Sequence, residues 1–355
     1  MSRKLNSLIG RAVLPVLRRL DPETAHELGL AGLAWLHPRR LQREVPAHLT
    51  LRCVGLPFAH PLGLAAGFDK NGDYLDVLGA LGFSHVEIGT VTPRAQRGNP
   101  KPRMFRIRAA HALVNRMGFN NKGADHVAAR IAGSSYRGIR GISIGKNFDT
   151  PIERAHEDYV ECLRRLYEHA DYVAVNLSSP NTARLRELQD GAALARIVGS
   201  LLEERTRLAV RFGKRVPLFV KIAPDLDGGQ IRTLAGQLRA LPADGIIATN
   251  TSNDLTEFAA ALPRGLAGGL SGRPLHRLSL AVIRRLRAEL GAAYPIIGVG
   301  GICSAEDALA TLQAGADLIQ VYTGFAYRGP DLIDEILGIL ARRSAVSRQP
   351  IETNP

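Results

Sequence analysis

From residue 62 onward, short apolar runs recur along the chain, and each closes on polar or glycine-rich residues. Eight have the length of buried strands: 62–67, 85–90, 142–147, 172–179, 217–224, 245–251, 295–301 and 318–324. In the later half they alternate with helical periodicity at 192–212, 228–240, 278–290, 305–314 and 332–342. Continuous apolar strands between amphipathic helices predict a parallel sheet covered on both faces. Eight such units predict an α/β fold, a closed (β/α)8 TIM barrel. An open doubly wound sheet is the rival, but no Gly-x-Gly-x-x-Gly follows the first strand.

The amino end reads differently. Residues 3–20 set Leu5, Leu8, Ile9, Val13, Leu14, Val16 and Leu17 among Arg3, Lys4, Arg11, Arg18 and Arg19. This is a basic amphipathic segment, expected to bend or break at Pro15. A second helix begins at Asp21, whose side chain suits the N-cap; Pro22 suits the first helical position and Glu23 the positive helix end. It runs through His26, Leu30 and Leu33 and stops before Pro38. The expected division is a small N-terminal helical extension over 1–40, the barrel over 41–343 and a tail over 344–355. The two helices have two possible fates, packing on the barrel or lying in a membrane interface. No apolar run approaches the roughly 20 residues of a spanning helix, and no signal-peptide cleavage pattern follows the basic start.

Composition changes this picture in two places. Lys and Arg number 46 against 33 Asp and Glu, giving +13 and a pI near 10.1. Such an excess points to nucleic acid, to an anionic membrane surface, or to no partner beyond a generally basic proteome. Cys53, Cys162 and Cys303 are far apart and odd in number, which argues against a zinc site or a disulfide framework and fits a reducing compartment.

Candidate chemistry lies at the carboxyl ends of the strands, where barrels keep their sites. The fourth strand is the most telling. Val173, Ala174 and Val175 give way to Asn176, Ser178, Ser179 and Asn181, with Pro180 ending the ladder. Taken alone, this stretch reads first as a strand followed by an Asx/Ser turn, and the rest of the chain reverses that reading. The other ends supply Ala66, Gly67, Phe68, Asp69 and Lys70; Thr90; Gly145, Lys146 and Asn147, with Ser143 inside the strand; Lys221; Thr249, Asn250 and Thr251; Gly300 and Gly301; and Tyr322, Thr323 and Gly324. Neutral amides and hydroxyls dominate, suited to the carbonyl and N–H edges of a flat ligand. No histidine lies among them, which disfavours imidazole catalysis and a metal. The glycine-rich turns after strands seven and eight fall where barrels bind phosphate. Lys70 and Lys221 are costly in such surroundings unless an anion or ligand meets them. Salt bridges to Asp69 or Asp225 are the plain alternative. A Schiff-base role for Lys221 in an aldolase or isomerase, and a non-catalytic basic module, are the rival functions.

Read together, these stretches resemble the dihydroorotate dehydrogenase family, specifically its membrane-associated, quinone-reducing class. The likeness is carried by Asp-Pro-Glu-x-Ala-His at 21–26, Pro61-Leu-Gly-Leu-Ala-Ala-Gly-Phe-Asp-Lys70, Ile88-Gly-Thr-Val-Thr-Pro93, Asn115-Arg-Met-Gly-Phe-Asn-Asn121, Asn176-Leu-Ser-Ser-Pro-Asn-Thr182, Val220-Lys-Ile-Ala-Pro-Asp225, Ala248-Thr-Asn-Thr251, Gly268-Gly-Leu-Ser-Gly-Arg-Pro-Leu275 and Ile297-Gly-Val-Gly-Gly-Ile302.

The resemblance implies oxidation of dihydroorotate to orotate in pyrimidine synthesis, with one FMN per chain and a membrane quinone as acceptor. It implies Ser179 as the base; the soluble class has Cys at this position. It implies FMN against Ala66, Gly67, Phe68, Asp69, Lys70, Thr90, Asn176, Lys221, Thr249, Gly272, Gly301, Tyr322 and Thr323. The family carries Asn where Ser143 stands, a shorter side chain that keeps a donor and an acceptor and leaves room for a water. Substrate is implied at Lys70, Asn115, Arg116, Met117, Gly118, Phe119, Asn176, Asn181, Asn250 and Thr251. His26, Arg106 and Tyr322 are implied to line a quinone route through the N-terminal helices. The implied setting is a monomer held peripherally on the cytoplasmic side of the cell (inner) membrane through anionic head groups, with no nucleic acid and no metal.

Overall fold

The computed structural model describes residues 13–35, 45–179, 181, 185–189 and 191–346. Residues 1–12 of the basic segment, 36–40 of the extension, Pro180 and Thr182 of the polar cluster, and the tail beyond 346 lie outside them.

The strands in chain order are β1 (Leu51–Cys53), β2 (Leu56–Phe58), β3 (Leu62–Leu64), β4 (His85–Val91), β5 (Met104–Ile107), β6 (Ala112–Asn115), β7 (Ile139–Ile144), β8 (Tyr172–Asn176), β9 (Leu218–Ile222), β10 (Gly245–Ala248), β11 (Gly269–Gly272), β12 (Ile296–Val299) and β13 (Leu318–Val321). Eight of them, β3, β4, β7, β8, β9, β10, β12 and β13, close into a parallel barrel in that order. Each corresponds to one of the eight apolar runs. The barrel is the expected one because strands buried on both sides have only helices and their own lumen to face.

Two additions were not legible as strands. The hairpin β1–β2 places Phe58 with its ring edge against His85 at 5.3 Å, at the amino end of β4, so it plugs the bottom of the barrel. Strands β11, β6 and β5 form a small antiparallel sheet. It carries Asn115 and Gly272, both of which line the cleft described below. These strands are three or four residues long, too short for period-two alternation to stand out.

Side-chain alternation sorts each barrel strand into an outer and an inner set. Val173 and Val175 of β8 pack outward in the large core under the helices, and Tyr172 and Ala174 pack inward with Phe219 and Leu318. Glu87, Lys221 and Gln320 share the inward parity of their strands. The helices match their periodicity: Gly191–Phe212, Gly228–Ala240, His276–Leu290, Ala305–Gln313 and Pro330–Val346, the last running past the boundary expected at 343. Asp227 and Gln230 make a reciprocal capping box, and Ser304 caps the helix that follows it.

In the extension, residues 13–17 are helical, so the chain runs through Pro15 in helical conformation rather than breaking there. The helix Pro22–Ala34 is capped as expected, with Asp21 accepting from the Glu23 and Thr24 amides. It docks on the barrel through Ala25 and Leu30 and through an ion pair of Glu23 with Arg103 at 2.7 Å, both side chains buried. Packing on the barrel is the observed fate of this helix, while Val13, Val16, Leu20, Leu28 and Trp35 remain exposed on the same segment. No described helix is long and apolar enough to cross a membrane.

Candidate active site

At the carboxyl end of the barrel a cleft opens with about 1050 Å³ of atom-free space, continuous with solvent. It collects Lys70, Thr90, Asn115, Asn176, Ser179, Asn181, Lys221, Thr249, Asn250 and Thr251 from six different segments of the chain. The strand-end reasoning therefore brought most of its candidates to one place.

The wall of β4 and β8 is a hydrogen-bonded chain. Ser143 and Thr90 share a hydroxyl contact at 2.9 Å, Asn176 Nδ2 donates to Thr90 Oγ1 at 2.8 Å, and Asn250 Nδ2 donates to Asn176 Oδ1 at 3.2 Å. Thr90 reaches this position because β4 bulges after Ile88. Gly89 permits the bulge: its φ is +107°, and a Cβ there would lie 2.5 Å from the Ser143 carbonyl. Opposite, Asn181 Nδ2 donates to Asn115 Oδ1 at 3.0 Å. Among the described residues, Asn181 Oδ1 and Asn120 Oδ1 are buried without a partner, on two side chains that belong to the lining of the cleft.

Ser179 is buried, and its Oγ accepts from the Asn181 backbone N–H at 3.3 Å. Among the described residues neither an imidazole nor a carboxylate is bonded to it. Lys70 has no ion-pair partner among the described residues. Desolvation pulls its ammonium down to about 8, opposed by the charge of Glu23. The alternative of a salt bridge to Asp69 is not formed, since the Asp69 carboxylate turns into its own loop and accepts from the amides of Asn71, Asp73 and Tyr74. Lys221 is paired, but with Glu87 at 3.1 Å rather than with Asp225. Asp225 instead binds Arg186 at 2.6 Å.

Four of the residues implied by the family resemblance stand elsewhere. Asp69 is a loop-ordering residue by the contacts just given. Ser143 lies behind Thr90 and does not line the cleft. Arg116, the first residue beyond the strand Ala112–Asn115, turns away and donates to the Pro102 carbonyl at 3.1 Å. Phe68 faces a second cavity. Reasoning from strand ends missed Asn120, Ser271 and Gln320, which line the cleft, and Glu87 beneath it. The available signal was parity: Glu87 and Gln320 are polar residues inside otherwise apolar strands.

The second cavity holds about 1380 Å³ of atom-free space and runs between the N-terminal helices and the barrel. Val13, Leu14, Leu17, Leu33, Phe68 and Phe325 make its walls apolar. His26 and Arg106 line it as well, and Tyr322 lines both cavities. His26 Nε2–H donates to the Phe68 carbonyl at 2.9 Å, and burial, aided by Lys70, holds the imidazole down to about 3, so it stays neutral. Burial pushes the Tyr322 phenol up to about 12. Arg106 donates to the carbonyls of Arg18 and Leu20, tying the first helix to β5.

The polar cleft fits a flat, phosphate-bearing cofactor. Gly301, at φ +75°, would place a Cβ 2.3 Å from the His276 amide nitrogen, so the loop is packed too tightly for a side chain. Thr323 and Gly324 line the cleft from the first turn of the helix Thr323–Arg328, where amides have no intrahelical acceptor. Backbone N–H groups of this kind bind phosphate.

Comparison with known proteins agrees with this geometry. The family model for dihydroorotate dehydrogenase matches residues 48–343. The dihydroorotate dehydrogenase (quinone) of Paraburkholderia xenovorans is 52% identical over 329 residues, covering 91% of this chain and 96% of that protein. That of Methylococcus capsulatus is 52% identical over 331 residues, covering 92% and 97%. A crystal structure of Eimeria tenella DHODH in complex with ferulenol superposes with a TM-score of 0.82 at 35% identity, over 92% of this chain and 93% of that one. By sequence and by fold, the chain belongs to the dihydroorotate dehydrogenase family.

Proposed function

We propose that this protein oxidises dihydroorotate to orotate for pyrimidine synthesis, with FMN as resident cofactor and a membrane quinone as electron acceptor. The observation that carries the reading is the pair of cavities, one polar and one apolar, sharing a wall at Tyr322. A charged substrate and a greasy acceptor need such different surroundings.

Lys70 holds the substrate carboxylate, and the side-chain amides of Asn115, Asn181 and Asn250 along the cleft meet its ring edge. Ser179 takes the proton from C5 while its own hydroxyl proton passes to water at the open cleft. Serine is a weak base unless its surroundings favour negative charge. The Asn181 amide and the two ammonium groups in the same cleft supply that bias. Bound FMN supplies the acceptor for the hydride leaving C6. Gly301, Thr323 and Gly324 hold its phosphate, and Lys221, Thr90 and Asn176 meet its ring. Lys221 is held in an ion pair with Glu87, which speaks against the Schiff-base alternative.

The apolar cavity admits the quinone. The exposed apolar side chains at Val13, Val16, Leu28 and Trp35 enter the lipid surface, with the exposed Arg19 and Arg108 at head-group level. The setting we propose is a peripheral membrane enzyme on the cytoplasmic side, acting as a monomer. The test is spectroscopic. Purified protein is yellow, and dihydroorotate bleaches it without oxygen. A colourless chain that cannot be reconstituted with FMN ends the reading.

A further inference from the structure

The charge at the cleft floor is set by a residue that never reaches the cleft. Lys221 Nζ and Glu87 Oε1 meet across the barrel lumen at 3.1 Å, from strands 134 residues apart in sequence. Lys221 lines the cleft, whereas Glu87 has no exposure at all. The second carboxylate oxygen, Oε2, accepts from the Tyr172 hydroxyl at 3.0 Å and from Gln320 Nε2 at 2.8 Å. Gln320 Nε2 also donates to the Tyr172 oxygen at 3.0 Å, so both donors are fixed relative to each other. Among the described residues, every hydrogen-bond partner of Glu87 donates to it. The arrangement puts the ammonium at the floor and the anion directly behind it.

We propose that Glu87 is a positioning residue that holds Lys221 in place and attenuates its charge toward the cofactor, so that the bound flavin has a lower midpoint potential than an unpaired lysine would set. This rests on the flavin reading above. Charges inside a barrel are screened far less than in water, so each is felt at the floor. A cation stabilises the reduced flavin over the oxidised form, and an anion one contact behind it cancels part of that effect.

Glu87→Gln removes the charge and keeps both the shape and an oxygen that accepts from Lys221. The midpoint potential is read by reductive titration of the purified holoenzyme with dithionite against a reference dye, which requires no substrate. Glu87→Gln should favour reduced over oxidised flavin roughly tenfold, about +30 mV for a two-electron couple. Tyr172→Phe and Gln320→Leu leave the charge and should shift the potential less. An unchanged or lowered potential in Glu87→Gln, or an equal shift in all three variants, overturns the proposal in favour of a purely structural network. If Glu87→Gln does not fold, Glu87→Asp draws the carboxylate back by one methylene and should raise the potential by a smaller step; no rise overturns the proposal. A wild-type chain that binds no flavin removes this inference together with the reading it rests on. A chain whose flavin ignores dihydroorotate removes only the substrate reading, and the titration still decides the role of Glu87.

Discussion

The two cavities on either side of Tyr322 are built by opposite means. The cleft is made from strand ends and the lumen beneath them. Its side chains are held by bonds between strands, such as Asn176 to Thr90 and Lys221 to Glu87. The apolar cavity is made by laying a separate helix against the barrel. That helix is held by one buried ion pair, Glu23 with Arg103, by the His26 contact to Phe68 and by a few apolar side chains. A rigid frame suits chemistry that depends on sub-ångström placement. A docked layer suits a ligand recognised by apolar area, which tolerates looser geometry. The comparison implies that damage on one side should leave the other half-reaction nearly intact.

The sharpest break comes from Ser179→Ala. The protein should stay yellow, while flavin reduction by dihydroorotate, followed by anaerobic stopped flow, slows by roughly 100- to 10,000-fold, the usual range for a lost general base. Quinone reoxidation of chemically reduced enzyme should be unchanged. An undiminished reduction rate would remove Ser179 as the base.

Lys70→Ala comes next. Loss of a charged contact to the substrate carboxylate should raise KM about 30- to 100-fold. The wild-type profile should show the same group. Below about pH 8 the ammonium is present and binds the carboxylate; as pH rises through about 8 it is lost, so kcat/KM should fall. A flat profile up to pH 10, or an unchanged KM in the variant, contradicts this assignment.

Deleting residues 1–40 probes the other side. Reduction by dihydroorotate should persist within about twofold, while turnover with a long-chain quinone drops by at least about tenfold through lost apolar contact. Equal loss of both activities would mean that the extension is structural to the barrel. Glu23→Gln, which leaves Arg103 buried without its anion, should loosen the helix more gently and raise the quinone KM a few-fold. The smallest effect belongs to Tyr322→Phe. Its hydroxyl makes one long contact to the Gly67 carbonyl at 3.4 Å, so both half-reactions should stay within about twofold. A large loss in either would give the phenol a chemical part that the geometry does not require.

Much of this was written locally. The eight apolar runs and the helical periods are properties of neighbouring residues, because burial on both faces removes polar side chains from a strand and burial on one face spaces them along a helix. The candidates at strand ends were legible for the same reason: parallel strands in a barrel all end at one mouth, so knowing where each run stops is enough to gather Asn176, Ser179, Lys221 and Asn250. The Asp21 cap was readable because its whole interaction spans three residues. Where the chain alternates over only three or four residues, as in β5, β6 and β11, the local signal was too short.

The sequence by itself thus determined the barrel, the position of its mouth and most of the groups that surround it. Only the tertiary structure decided which group answers which. Asp69 turned into its own loop and left Lys70 without an ion-pair partner among the described residues. Lys221 found its anion in Glu87, across the lumen and 134 residues away. Tyr322 became a wall between two cavities because a helix from the other end of the chain packs over it. The physical reason is range. Periodicity and capping depend on adjacent residues, whereas the pairing of buried charges and the shape of a cavity depend on which distant side chains share the same small volume.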